Sequence, residues 1–238
     1  MRTIYRRWSE YPYPGEQTPP KAHPEPAYFP MFFVSRRENN EFLDPFRLRI
    51  IWQIKNPIKV DWETELSIVE QTILSLTPQK IQIAQFWGNA EATQNMIPMI
   101  FSLARKYRLG SPNIARIFGY FHAGVNDAFV MSWYFKYLWD VARPNQYGRN
   151  LSPILLTPLF PSYPSAHATV AGCAEAILTY FFPLEAAGIR RTMEECALSR
   201  LYAGVHFKVD NDEGLRLGRQ IGGIVVRLLK AQNPNNIR

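Results

Sequence analysis

Along most of the chain from Asp61 onward, apolar positions recur at helical spacing. Trp62-Glu63-Thr64-Glu65-Leu66 opens an amphipathic run, and Thr77-Pro78 reads as an N-cap followed by proline at the first helical position, so two helices are expected between Trp62 and Phe86. The period continues from Ile97 to Tyr107 and stops at Leu109-Gly110. Ser111-Pro112 then supplies a cap and first position for a long helix ending near Val141. Pro153, Pro158 and Pro161 make Ser152 to Tyr163 an irregular connection. Helical periodicity resumes from Ser165 to about Phe182, and two more helices are expected over Leu184 to Leu201 and Asn211 to Lys230. Alternating strand patterns, Asn-Gly hairpin signals and solenoid repeats are absent from this pattern. The expected class is all-α, a single helical bundle over residues 61–238.

Residues 1–60 follow a different rule. The first thirty are rich in proline, tyrosine and charge without periodicity, which suggests an arm laid over the bundle or a partly disordered leader. No apolar core of a signal peptide is present there, and the chain reads as cytoplasmic. The most apolar stretch, Ile114 to Trp139, is interrupted by Arg116, His122, Asp127 and Lys136, so no membrane span is expected.

With 238 residues, 47% hydrophobic and 14% aromatic, the chain can bury a substantial core. A formal charge of +7 favours anionic partners. The basic residues come as scattered doublets such as Arg6-Arg7, Arg36-Arg37 and Arg190-Arg191, which argues against nucleic acid as the partner. Cys173 and Cys196 form no CxxC and no Cys/His spacing, so both are expected to pack as small buried hydrophobes. A bundle with aromatic-rich termini is compatible with a homo-oligomer, although no residue here requires one.

Three segments carry candidate chemistry. Lys136 and Arg143 stand seven residues apart on the long helix, so two helical turns place them on one face about 10.5 Å apart, able to grip one oxyanion from two sides. Alone, the pair reads more readily as a solvated basic face, since surface Lys and Arg are common. Pro161-Ser162-Tyr163-Pro164-Ser165-Ala166-His167-Ala168-Thr169 is a proline-stiffened turn running into a helix. Its Ser165 hydroxyl and first free amides point to where anions bind, with His167 on the same turn; the plain alternative is a capping serine followed by a satisfied histidine. In Ser199-Arg200 through His206 and Asp210, Arg200 offers a planar fork to oxyanion oxygens, and Asp210, four residues after His206, is spaced to fix its tautomer. Alone, this segment is also a helix end with an exposed arginine and a local His–Asp pair.

Together and in this order, the three resemble the signature of the superfamily that joins type 2 phosphatidic acid phosphatases and vanadium haloperoxidases: Lys-x6-Arg-Pro, then Pro-Ser-Gly-His, then Ser-Arg-x5-His-x3-Asp. They stand here as Lys136 through Arg143-Pro144, Pro164-Ser165-Ala166-His167, and Ser199-Arg200 through His206 and Asp210. The departure is Ala166 in place of glycine, which costs about 1–2 kcal/mol if the backbone there needs positive φ and nothing if it is helical. The resemblance implies that Lys136, Arg143 and Arg200 neutralise a phosphate or vanadate oxyanion while Ser165 and the Ala166 amide donate to it. It implies that His206 attacks phosphorus or binds vanadium axially, that Asp210 orients His206, and that His167 is the acid or base at the opposite apical oxygen.

Leu76-Thr77-Pro78 through Phe86-Trp87, Asn126-Asp127-Ala128 and Trp133-Tyr134-Phe135-Lys136 look like the soluble bacterial haloperoxidase-like branch, so the resemblance runs from about Leu66 to the C-terminus. Trp133 and Phe160 sit where chloroperoxidase-type members carry aromatic residues beside the anion, although aromatics at such spacing are often simply core. Asp127 is expected either to pair with a pocket arginine or to cap a polar contact inside the bundle. The implied function is a haloperoxidase that holds vanadate as cofactor and acts on a small-molecule substrate. The alternative is an acid phosphatase with no cofactor, acting on phosphomonoesters or lipid phosphates through a phosphohistidine.

Overall fold

Helix starts in this chain coincide with side chains that satisfy the free amides of a first turn. The computed structural model describes residues 5–89, 91–147 and 151–232; residues 1–4, 90, 148–150 and 233–238, including the outer ends of the expected arm and bundle, lie outside the described residues. In α1 (Trp62–Leu74) the Asp61 carboxylate accepts the Thr64 amide, with Glu63 and Glu65 in the positive first turn. In α2 (Pro78–Gly88) the Thr77 hydroxyl accepts the Lys80 amide and Pro78 leads the helix. α3 (Ala92–Lys106) carries Pro98 in its second turn.

α4 (Ser111–Trp139) starts after Gly110 rather than Ser111 and ends two residues before the expected Val141. Asp140 stops it by adopting a left-handed conformation, φ 53°, one of the few non-glycine residues that do so readily. α5 (Ala166–Phe181), α6 (Ala186–Tyr202) and α7 (Lys208–Gln232) follow, α7 beginning three residues before the expected Asn211.

The class is the expected one, all-α. The described strands are β1 (Ser35–Arg36) and β2 (Phe42–Leu43), an antiparallel pair too short to give an alternating pattern. The core forms where α4, α5 and α7 meet: Phe121, Val125 and Met131 face Val170, Cys173 and Ile177, with Leu217, Ile221 and Val225 completing it. Both cysteines are buried and free, as expected.

Approach between α5 and α7 is set by small residues. A Cβ on Gly218 would lie 2.0 Å from the Thr169 carbonyl oxygen, and one on Gly172 would lie 2.4 Å from that of Leu215. The two backbones therefore pass closer than any side chain permits.

Residues 5–60 run over this bundle and are tied to it by backbone hydrogen bonds. The buried Asp127 carboxylate on α4 accepts the amides of Phe32, Phe33 and Val34 at 2.8, 2.7 and 3.0 Å. This decides between the two roles weighed for Asp127, since it anchors the arm and pairs with no pocket arginine. Further on, Glu213 and Gln220 of α7 accept the amides of Lys55 and Gln53.

Candidate oxyanion site

The end of α4, the loop 158–165, the first turn of α5 and the α6–α7 corner meet on one side of the bundle. Lys136 lies in the last turn of α4, fully buried, where its ammonium donates to the carbonyls of Pro161 and Ser162 at 2.7 and 2.8 Å. Arg143 is not on this helix. Because α4 stops at Trp139, the seven-residue spacing does not measure two helical turns; the chain doubles back after Asp140 and carries Arg143 into the pocket from a loop. The two cations still converge: Lys136 Nζ and Arg143 Cζ stand 5.2 and 5.0 Å from the centre of the Phe160 ring. Phe160 packs in turn on Trp133, with ring centres 4.7 Å apart.

Ser165 is the N-cap of α5, its hydroxyl accepting the Ala168 amide at 3.4 Å. Ala166 is the first helical residue and has no positive φ, so its methyl group adds no backbone strain. His167 follows with its Nε2 buried and unpartnered. Its ring also meets the backbone of Trp87 at the end of α2. Burial first, then the charge of Arg200, pushes the His167 imidazole down to about 3.

Gly204, at φ 73°, turns the chain from α6 into α7 and sets the directions of Arg200 and His206. Asp210, in the first turn of α7, accepts His206 Nδ1–H at 2.8 Å on Oδ2, which also takes the Phe207 amide at 3.0 Å and the Ser162 hydroxyl at 2.5 Å. The proton on Nδ1 follows from this partner, so Nε2 carries the lone pair and accepts from Arg143 Nη1 at 2.9 Å. Burial first, then Arg143, Lys136 and Arg200, holds His206 well below the ordinary histidine value, and the ring is neutral.

The electrostatics of the site are one-sided. Lys136, Arg143 and Arg200 are all buried, and burial pulls each below its ordinary value, Arg200 to about 10. The carboxylate facing them is Asp210, already committed on Oδ2 to three donors. Arg143 Nη2, Arg200 Nε, Arg200 Nη1 and His167 Nε2 are buried without a hydrogen-bond partner. The unpaired guanidinium donors are costly, and coming from the loop after α4 and from α6 they fit a polyvalent anion that satisfies them together.

Ser162 and Gly88 were not singled out from sequence. Ser162 bridges toward His206 and Asp210 from a proline-rich loop, where no periodicity marks it. A Cβ on Gly88 would lie 3.1 Å from Arg200 Nη1 and 2.1 Å from Leu155 Cδ1, so a bare backbone there makes room for both.

The family model of the VCPO second helical-bundle domain matches residues 182–234. No curated protein sequence matches significantly. Among solved structures, a bacterial vanadium-dependent iodoperoxidase is similar with TM-score 0.69 and 23% identity, covering 95% of this chain and 62% of that one. A holo-type bacterial vanadium-dependent chloroperoxidase matches with TM-score 0.69 and 16% identity over 87% of this chain and 55% of its own. A transmembrane PAP2-type phosphatidylglycerolphosphate phosphatase from Bacillus subtilis matches with TM-score 0.53 and 18% identity, over 76% and 90%. The chain thus spans roughly three fifths of the haloperoxidase chains, and no helix among the described residues is long and apolar enough to cross a membrane. This chain shares its fold with vanadium haloperoxidases and with a PAP2-type phosphatase, and its segment 182–234 is similar to the second helical-bundle domain of the VCPO model.

Proposed function

We propose that this chain is a vanadate-dependent haloperoxidase-like enzyme, with residues 61–238 as its catalytic bundle and residues 1–60 as an arm upon it. The observation that carries the reading is the set of unpartnered buried nitrogens on Arg143, Arg200 and His167 around His206 Nε2, whose lone pair faces the Arg143 guanidinium. These groups fit vanadate: Lys136, Arg143 and Arg200 would neutralise it, Ser165 and the Ala166 amide would donate to it, and His206 Nε2 would bind it. Bound vanadate would supply the two-electron oxidation of halide by hydrogen peroxide.

The chain's own part is charge and proton handling. On anion entry Arg143 exchanges its contact with His206 Nε2 for an anion oxygen, which frees the imidazole lone pair. Asp210 and Ser162 keep Nδ1–H in place, so the lone pair is directed and the ring stays neutral. A bound anion would offset the positive charges that depress His167 and raise its affinity for a proton, so His167 could hold or release one at an oxygen of the anion. Phe160 and Trp133 form an apolar wall beside the cations that excludes water and would face the small-molecule substrate.

The same neutral, oriented His206 supports a second reading as a phosphatase. Its Nε2 would displace the ester oxygen from phosphorus, His167 would give that oxygen its proton, and water would then release phosphate from His206. The discriminating experiment pairs two assays on one preparation, with His206→Ala as control. Bromination of a dye that requires vanadate, peroxide, bromide and His206 is the expected result. Hydrolysis of a chromogenic phosphate ester that vanadate inhibits moves the assignment to phosphatase, and silence in both assays overturns the enzymatic reading.

A further inference from the structure

Phe29 of the arm is 54% exposed, although the chain on either side of it is fixed to α4. The His23 amide donates to the Tyr137 hydroxyl at 3.0 Å, Asn126 Nδ2 donates to the Pro30 carbonyl at 3.0 Å, and Asp127 holds the amides of residues 32–34. Between these ties a 3-10 turn (Glu25–Tyr28) packs on α4, and beside it lies a cleft of about 340 Å³. Pro26 and Phe29 form its arm side. Asn126, Phe129, Val130 and Trp133, spaced as one face of α4, form the other.

None of these six residues is charged, and three of them present aromatic rings. Asn126 is the one polar side chain among them. Its Nδ2 is committed to Pro30 and, at 3.2 Å, to Asp127, so what it can offer a ligand is the Oδ1 acceptor. A neutral planar ring bearing one N–H or O–H fits this set, and an anion does not. Because both walls are tied by hydrogen bonds, the cleft is formed before a ligand arrives. It also adjoins the oxyanion site. The Trp133 ring that lines it packs on Phe160 at 4.7 Å, and Phe160 lies against Lys136 and Arg143.

We propose that this cleft binds the organic acceptor of the halogen, a small neutral aromatic with a single N–H or O–H, held between Phe29 and Trp133. This rests on the haloperoxidase reading above. In the transfer a ring carbon of the acceptor bonds to the bromine of hypobromous acid and the O–Br bond breaks. The displaced hydroxide leaves as water with the proton lost from that carbon. Holding the acceptor one aromatic pair away from the anion shortens the path of the oxidant and favours the bound ring over other targets. The arm thus supplies half of the acceptor site, while the bundle supplies the anion site.

The test is equilibrium binding of indole and of N-methylindole to the full chain without vanadate, wild type against Phe29→Ala, which removes an exposed ring and leaves the backbone ties of the arm. The expected result is about tenfold weaker indole binding by Phe29→Ala. Wild type should bind indole about fivefold more tightly than N-methylindole, which has no hydrogen to give Asn126. In bromination, Phe29→Ala should raise the KM for indole about tenfold, with the KM for bromide and the affinity for orthovanadate held within about twofold. Equal indole binding by the two proteins, equal binding of the two indoles, or none at millimolar concentration overturns the proposal whatever the activity. A dimer that Phe29→Ala dissociates, in place of indole binding, assigns the cleft to a second copy of the chain and overturns it too. If indole binds as expected but vanadate, peroxide and bromide give no bromination, the haloperoxidase reading fails and the acceptor role falls with it.

Discussion

Ser162 has the most direct consequence at the scale of single residues, because its hydroxyl is one of three donors on the Asp210 oxygen that orients His206. Ser162→Ala removes that donor and leaves a neighbouring methyl group, so Asp210 gains freedom to turn while the three cations stay in place. The expected outcome is about a tenfold fall in turnover with anion affinity held within about threefold, measured as kcat against the dissociation constant for orthovanadate. A loss confined to affinity would contradict this division. The signature residues stood out in the sequence by their order and spacing, although the spacing of Lys136 and Arg143 misled, because Arg143 comes from a loop and not from α4. Ser162 and Gly88 did not stand out, since they reach the pocket from irregular segments or across long sequence separations. Ala166, the one departure in the signature, stands at a helical position where alanine and glycine differ only in propensity.

At the scale of elements, the pocket depends on how closely α7 approaches α5. The Ser165 amide donates to the Asp210 carbonyl at 2.9 Å, so the anion-facing turn of α5 is registered directly on the segment that orients His206. Glycines keep this register: a Cβ on Gly214 would lie 2.7 Å from the Ser165 carbonyl oxygen, and one on Gly218 still closer to that of Thr169. Gly218→Ala meets backbone with no side chain able to yield, so the helices must separate. The expected cost is about 2–4 kcal/mol, read from denaturant unfolding, with anion binding weakened in the protein that remains folded. Unchanged stability would mean that the helices are not in this contact. Helix existence was readable from apolar period and caps, yet this close contact was not, because a glycine in a helical run records no preference for a partner. The end of α4 was misjudged for a related reason. Apolar period continues through Val141, while the left-handed Asp140 that breaks the helix leaves no mark on it.

For the whole molecule, the positive pocket couples stability to pH. His167 and His206 both have folded values below the ordinary 6.5, so between about 6.5 and the depressed value the unfolded chain binds protons that the folded chain does not. Stability contributed in this way is present above about 6.5 and is lost as pH falls, His167 contributing down to about 3 at a limiting slope near 1.4 kcal/mol per pH unit. Asp210, whose carboxyl burial raises to about 7, acts in the opposite sense over this window, so the histidine part is read as a difference. Denaturant unfolding of the anion-free protein between pH 7 and 5 should show the wild type losing more stability than His167→Gln. Equal pH dependence in the two proteins would mean that His167 is exposed or already charged. The arm belongs to this scale as well. Its sequence shows composition but no partner, and the pairing of residues 6–8 with 140–142 exists only once the bundle has formed.

The central claim is that the buried cations and the two neutral histidines wait for a tetrahedral oxyanion, and the most direct measurement is the melting midpoint of the full chain titrated with orthovanadate at neutral pH. Binding at about one hundred times the dissociation constant stabilises the folded state by about 2.7 kcal/mol, which for a chain of this length raises the midpoint by about 5–10 °C. The account predicts such a rise in the wild type and its loss in Arg200→Ala. A midpoint unmoved by millimolar orthovanadate, or a rise that survives Arg200→Ala undiminished, would contradict it.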